Sequence, residues 1–204
     1  MLDFRVEKEL FNQGYKLIGA VDEAGRGPLA GPVVAACVVF GPNFKIDDEL
    51  KKVNDSKKIK AKDREELYQV IVRKYLAVGI GVCNNKTIDR INILQASFLA
   101  MKKALGQIKQ KPEFIILDGK FKIPNLSIAQ AAIIRGDETI FSIAAASIIA
   151  KVARDRLMML MHQAYPNYGF NLHKGYGTKL HLERLEQFGP CPIHRLSFKS
   201  VKTN

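Results

Sequence analysis

The stretch AVDEAGRGPLAGPVVAACVVF, Ala20–Phe40, decides how this chain is read. An apolar run breaks for two adjacent carboxylates, Asp22 and Glu23, passes through Gly25-Arg26-Gly27-Pro28 and resumes as Val33–Phe40. Buried acids are unfavourable unless they are paired or hold a metal ion. The stretch is therefore either a solvated turn between two strands or a charged site at the edge of a core. Val33–Phe40 is almost continuously apolar and rich in valine, which predicts a strand covered on both faces. Tyr15–Val21 predicts its neighbour. Residues adjacent in a regular strand point to opposite faces. Asp22 and Glu23 then serve one site only if the strand ends or bulges there, and Gly25 favours such a break.

Working outward, Lys45–Lys60 is polar and lysine-rich and reads as a loop. Ala61–Lys74 has apolar residues at helical spacing, and Leu76–Cys83 reads as a strand. Thr87–Gln107 carries Ile88, Ile91, Leu94, Phe98, Met101 and Leu105 in steps of three or four, with Thr87 as its N-cap. Glu113–Leu117 and Ser127–Ile134 predict further strands. Glu138–Met161 predicts a long helix whose small segment Ala144–Ser147 lets it lie close to a sheet. Thr178–Phe188 predicts a final helix, closed by Gly189. The pattern is that of an α/β fold, a sheet covered by helices.

Composition narrows the function. The 204 residues suit one domain, and 47% hydrophobic with 25% charged residues suits a globular core. The net charge of +12 points to a polyanionic partner, because lysines and arginines that neutralise phosphates release counterions. Cys37, Cys83 and Cys191 show no C-x-x-C spacing, which argues against zinc and a disulfide framework. MLDFRVEKELFNQG at the N-terminus lacks the apolar core of a signal peptide. Ile140–Ala150, the longest apolar run, contains two serines and is too short to span a bilayer. The expectation is a soluble, cytoplasmic monomer with no membrane partner.

Asp22-Glu23, Asp118 and Asp137 each follow an apolar strand candidate and lie close to a glycine. Strand ends of α/β sheets are where sites are built. If these strands are neighbours, four carboxylates converge at one sheet edge. They would repel unless neutralised, and Mg²⁺ or Mn²⁺ suits an all-oxygen set better than zinc. Two such ions clamp the attacking and leaving oxygens of a phosphodiester. Any single Asp-Gly is explained as a turn; three sites together are not. Gly25–Ala30 also fits G-x-G-x-x-A, a dinucleotide fingerprint, but that motif needs a helix directly after it, and Pro28, Pro32 and the Val33–Phe40 strand stand in the way. The four histidines, His162, His173, His181 and His194, all lie beyond residue 160. None is assigned a catalytic role, since two metal ions can activate water without one.

VDEAGRGPLAGPVV (Val21–Val34), NDSKK (Asn54–Lys58), LDG (Leu117–Gly119), GD (Gly136–Asp137), AAASIIAKVARD (Ala144–Asp155), HKGYGT (His173–Thr178) and GPCPIHRLSF (Gly189–Phe198) occur in this order. In these motifs the chain resembles the ribonuclease HII family over nearly its whole length. Cys191, where serine is more usual, and Glu138 after the third acid are small departures. The resemblance implies a ribonuclease H-like mixed sheet flanked by helices, with residues 1–160 as catalytic domain and 161–204 as a small helical, substrate-binding part of the same domain. It implies endonucleolytic cleavage of RNA in RNA/DNA hybrids and 5′ of single ribonucleotides in duplex DNA, leaving 3′-hydroxyl and 5′-phosphate ends. Asp22, Glu23, Asp118 and Asp137 would hold Mn²⁺ or Mg²⁺. Gly25, Arg26 and Gly27 would meet the 2′-hydroxyl, Ser56 and Lys57 a phosphate, and Tyr176 a sugar on the DNA side of the junction. The 2′-hydroxyl is the group that distinguishes RNA from DNA at a given position, and an exposed tyrosine can stack on any base. The competing reading is a non-catalytic nucleic-acid-binding protein whose acids merely punctuate turns.

Overall fold

A computed structural model describes residues 2–201; residue 1 of the expected catalytic part and residues 202–204 of the expected C-terminal part lie outside the described residues. One sheet is built from β1 (Ile18–Ala24), β2 (Val33–Phe40), β3 (Ala77–Cys83), β4 (Phe114–Asp118) and β5 (Ala129–Ile133), in the order β3-β2-β1-β4-β5. β1–β2 and β2–β3 are antiparallel, whereas β1–β4 and β4–β5 are parallel. The helices are α1 (Arg5–Asn12), α2 (Ala61–Lys74), α3 (Asn85–Gln107), α4 (Gly136–Thr139), α5 (Phe141–Ala164), α6 (Phe170–His173) and α7 (Lys179–Phe188).

Every residue of β2 is buried, as its unbroken apolar sequence requires. Side-chain alternation sends Ala20, Ala36, Val38 and Phe40 to one face, where α5 and α2 cover them. It sends Val21, Ala35, Cys37 and Val39 to the other, beneath α3. Ala144–Ser147 of α5 are all buried, so that helix sits directly on β1 and β2. On the opposite face α3 approaches β3 just as closely. A Cβ at Gly79 or Gly81 would overlap the carbonyl oxygen of Ala104 or Ala100 in α3. The C-terminal part has its own small core of Tyr168, Phe170 and Cys191, packed on Met158 of α5 and on Ala30. Among the described residues, no helix is long and apolar enough to cross a membrane.

Several sequence expectations shift. Asp22, Glu23 and Asp118 lie inside their strands, not after them. β1 continues in regular register past the acids, with Asp22 opposite Ala36 and Glu23 opposite Ala35. Neither the strand end nor the bulge expected there occurs, because main-chain pairing with β2 is indifferent to the polarity of the side chains. The expected helix from Glu138 is two: α4 ends at Thr139, and α5 starts at Phe141. The cap of α3 is Asn84, whose side chain accepts the Thr87 N–H. That helix is also broken at Asn92, which has φ 64° and accepts the Gln95 N–H through its side chain.

The glycine contact between β3 and α3 yields a prediction. Gly81→Val forces helix and strand apart, and overpacking of this kind costs about 1–3 kcal/mol. Urea unfolding should show a lower midpoint with an unchanged slope. A midpoint equal to that of the unsubstituted protein would contradict the packing described.

Candidate active site

The acids gather where the pairing of β1 with β4 ends. That parallel pairing runs through Val21 and Leu117, and one further step sets Asp22 beside Asp118. Both belong to the face that Ala20 and Ile116 present to α5, and neighbouring strands lie about 5 Å apart. Glu23 points to the opposite face, yet beyond Leu117 nothing pairs with this side of β1. Side chains from both faces can therefore reach the same opening. Asp137 arrives on α4, just after β5. The Gly136 N–H donates to Asp118 Oδ1 at 2.7 Å and so fixes the turn that carries Asp137.

A cleft of about 260 Å³ results, lined by Asp22, Glu23, Asp118 and Asp137. Gly25, Arg26, Gly27, Ser56, Lys57 and Tyr176 also line it, so every residue the sequence reading expected in the site borders the same opening. A larger groove of about 630 Å³ runs along α2 among Lys52, Lys58 and Lys60, away from these acids. Ser147 and Lys151 of α5 complete the cleft; both lie within the AAASIIAKVARD motif but were not singled out. Ser56 is buried with its hydroxyl 2.9 Å from that of Ser147. Lys57 is exposed and donates to Asp137 at 2.9 Å. Tyr176 is 43% exposed, and its ring has Lys151 and Arg154 each 5.7 Å from its centre.

The electrostatics are those of crowded acids. Burial, then the charges of Glu23 and Asp118, push the Asp22 carboxyl well above the usual range, against a hydrogen bond from Ser147. Burial also raises Glu23, opposed by Arg26, whose guanidinium lies 3.2 Å away. Asp118 is raised by burial and by Asp137, opposed by the Gly136 N–H. Among the described residues, no three His, Cys, Asp or Glu side chains form a ready-made metal shell. The donors still fit a hard divalent cation. They are all carboxylate oxygens, and Glu23 Oε2 is buried without a partner. Lys57 and Arg26 meanwhile pair with Asp137 and Glu23.

Two residues that sequence reasoning missed shape the opposite wall. Arg154 and Arg195 are fully buried. Arg154 donates to the carbonyls of Ala30 and Pro32. Arg195 donates to those of Gly25, Arg26, Gly31 and Pro32. The Gly25–Pro32 loop is thus wrapped around two guanidinium groups. Gly25, at φ +98°, has no room for a Cβ, which would overlap Arg154. The Tyr176 loop is tied to the same assembly, since the Leu29 N–H donates to the Gly175 carbonyl at 2.8 Å.

A family model for ribonuclease HII matches residues 18–201. The ribonuclease HII of Caldicellulosiruptor bescii is 50% identical over 195 residues, covering 96% of this chain and 92% of that protein. That of Geotalea daltonii is 52% identical over 190 residues, covering 93% of this chain and 86% of that protein. The crystal structure of ribonuclease H2 from Pyrococcus horikoshii matches with a TM-score of 0.75 at 27% identity, covering 91% of this chain and 95% of that chain. The mixed sheet flanked by helices is accordingly the ribonuclease H-like fold of that neighbour. By sequence and by fold together, the chain belongs to the ribonuclease HII family and is an endoribonuclease of the ribonuclease H type.

Proposed function

We infer that this enzyme is a divalent-metal-dependent nuclease that cuts RNA in RNA/DNA hybrids and on the 5′ side of single ribonucleotides in duplex DNA, leaving 3′-hydroxyl and 5′-phosphate ends. The observation that carries the reading is a single cleft lined by four acids, a glycine loop and an exposed tyrosine. Mg²⁺ or Mn²⁺ would be held by Asp22, Glu23, Asp118 and Asp137. When bound there, such ions activate water and neutralise charge developing on the phosphodiester.

The chain's own residues do the positioning. Arg154 and Arg195 turn the loop carbonyls inward, which leaves the Gly25–Gly27 main chain to face a ribose without a Cβ at either glycine. A backbone so placed can bond a 2′-hydroxyl, which deoxyribose lacks. Tyr176 offers its ring as a stacking surface at the neighbouring sugar. Lys57, Arg26 and Lys151 surround the opening and suit phosphate oxygens. Residues 161–204 act as the substrate-binding part of the same domain, because they carry the Tyr176 loop. A cytoplasmic monomer remains the expectation from sequence.

Asp118→Asn should lower cleavage of a hybrid by roughly a thousandfold, the scale on which single electrostatic groups act in a transition state, while the fold persists. Mn²⁺ should raise the thermal midpoint of the unsubstituted protein and raise that of the variant less. EDTA should abolish cleavage. A non-catalytic binder would instead hold its substrate equally well with and without metal, and turnover retained in Asp118→Asn would contradict the assignment of the acids.

Tyr176→Ala should raise KM on a duplex with one ribonucleotide by roughly tenfold, since stacking on an aromatic contributes about 1–3 kcal/mol per base. Its Mn²⁺-induced thermal shift should match that of the unsubstituted protein. Unchanged KM would remove Tyr176 from the interface.

A further inference from the structure

Three buried histidines are left unused by the cleavage chemistry. His181, in the first turn of α7, is fully buried, His194 is 1% exposed and His173 is 8% exposed. The Nε2 atoms of His181 and His194 meet at 3.0 Å. His194 Nδ1 lies 2.9 Å from the Cys191 N–H, and His181 Nδ1 lies 2.9 Å from the Tyr176 carbonyl oxygen.

Partner chemistry assigns the protons. The Cys191 N–H can only donate, so His194 Nδ1 accepts and His194 carries its proton on Nε2. That proton is donated to His181 Nε2, which must be bare. His181 therefore carries its own proton on Nδ1 and donates it to the Tyr176 carbonyl, which can only accept. The longer approach of His194 Nδ1 to the Cys191 carbonyl, 3.3 Å, goes unused. The bonds run one way, from the Cys191 N–H through His194 and His181 to Tyr176, and they occupy every nitrogen of two neutral rings. His173 stacks on His181 with ring centres 4.4 Å apart. It accepts the Gly175 N–H at 3.1 Å and lies 2.8 Å from the Tyr168 carbonyl.

A proton added to either member would set N–H against N–H at the Nε2 contact. The titratable and charged groups that face the cluster are His162 from α5, Lys174 and Tyr176 beside α6, Tyr168 before it and Cys191. Burial holds these imidazoles below their usual range, against the bonds of His173 and His181 to the Tyr168 and Tyr176 carbonyls, and His194, which also has His181 beside it, is lowered to about 4. A base with a depressed folded pKa leaves the unfolded chain binding more protons in acid. The network is thus intact at neutrality, and its contribution is lost as pH falls below about 6.5 toward 4.

We propose that the His194–His181 relay is a positioning device for Tyr176, fixing the main chain of the Lys174–Gly177 loop so that the tyrosine ring stands over the cleft. His194 also adjoins Arg195 in the chain and bridges to Ala30. The relay therefore couples the ring to the loop that carries Gly25–Gly27. The proposal rests on the assignment of Tyr176 to the substrate interface.

The test uses a duplex with one ribonucleotide at pH 8, with variants scored beside Tyr176→Ala. His181→Phe keeps the ring volume and loses both nitrogens, leaving the Tyr176 carbonyl with only the Thr178 N–H and the buried His194 Nε2–H without a partner; KM should rise roughly tenfold, as for one buried hydrogen bond left unmade, with kcat little changed. His181→Asn keeps a donor at the Nδ1 position and should recover most of that loss. In the unsubstituted protein at neutral pH, ¹⁵N NMR of the imidazoles should read His181 as the Nδ1–H tautomer and His194 as the Nε2–H tautomer, which tests the relay even where a variant fails to fold. The opposite tautomers, or cationic rings, would overturn it. So would a folded His181→Phe with unaltered KM while Tyr176→Ala is impaired. Unaltered KM in Tyr176→Ala itself would overturn the underlying assignment instead.

Discussion

Arg154 and Arg195 are both fully buried, and their hydrogen bonds go to main-chain carbonyls. An isolated charge in a protein interior is strongly unfavourable unless polar groups replace its water. Here the replacement is the Gly25–Pro32 loop, which supplies five carbonyl oxygens from residues 25, 26, 30, 31 and 32. Burial lowers both groups, Arg195 to about 9 with the nearness of Arg154 adding to the shift, and a guanidinium stays charged at neutral pH. Loop and guanidinium groups are mutually obligatory. The loop cannot unwind without stranding two cations, and the cations cannot be buried without the loop. One segment of α5 and one residue near the C-terminus thereby hold the main chain beside the acids.

The opposite wall of the cleft follows the reverse logic. Four carboxylates crowd at the end of the β1–β4 pairing, and burial with mutual repulsion raises Asp22, Glu23 and Asp118. The acids are only partly compensated: Lys57 reaches Asp137 and Arg26 reaches Glu23, while Asp22 has a hydroxyl partner and Glu23 Oε2 has none. In the proposed reading, a phosphodiester would lie between these acids and the loop held by the two buried guanidinium groups. On that proposal, such a division would let one opening accept a phosphodiester and its counter-cations together. A uniformly basic groove would bind the polyanion and repel the metal.

What could be read from the sequence follows from how local each feature is. β2 spans Val33–Phe40 and α2 spans Ala61–Lys74, as their apolar patterns require. Those patterns record burial directly. The acids were legible as a set, because carboxylates after apolar runs are individually ordinary and jointly unusual. Their setting was not. Asp22 and Glu23 look like the end of a strand, but strand continuity is decided by β2, whose pairing continues to Ala24 and Val34. Asn84 caps α3 in place of Thr87 because one side-chain hydrogen bond, not composition, decides a cap. Arg154 and Arg195 were invisible, since an arginine in sequence reads as surface charge. Only the folded loop supplies the carbonyls that permit their burial.

The histidines extend the same reasoning to the C-terminal part. α6 has four residues, too few to hold a loop rigidly through helix packing alone. The Lys174–Gly177 turn is instead fixed at several main-chain atoms: the Gly175 N–H by His173, the Gly175 carbonyl by Leu29 and the Tyr176 carbonyl by His181. Main-chain anchoring leaves the Tyr176 side chain free to remain exposed while its position is set, as the stacking role proposed for it would require. A tyrosine held by its own hydroxyl would be better ordered and less available. Rings that both donate and accept suit this task, because neutral imidazole can join an N–H on one side to a C=O on the other, which neither a carboxylate nor an ammonium group can do.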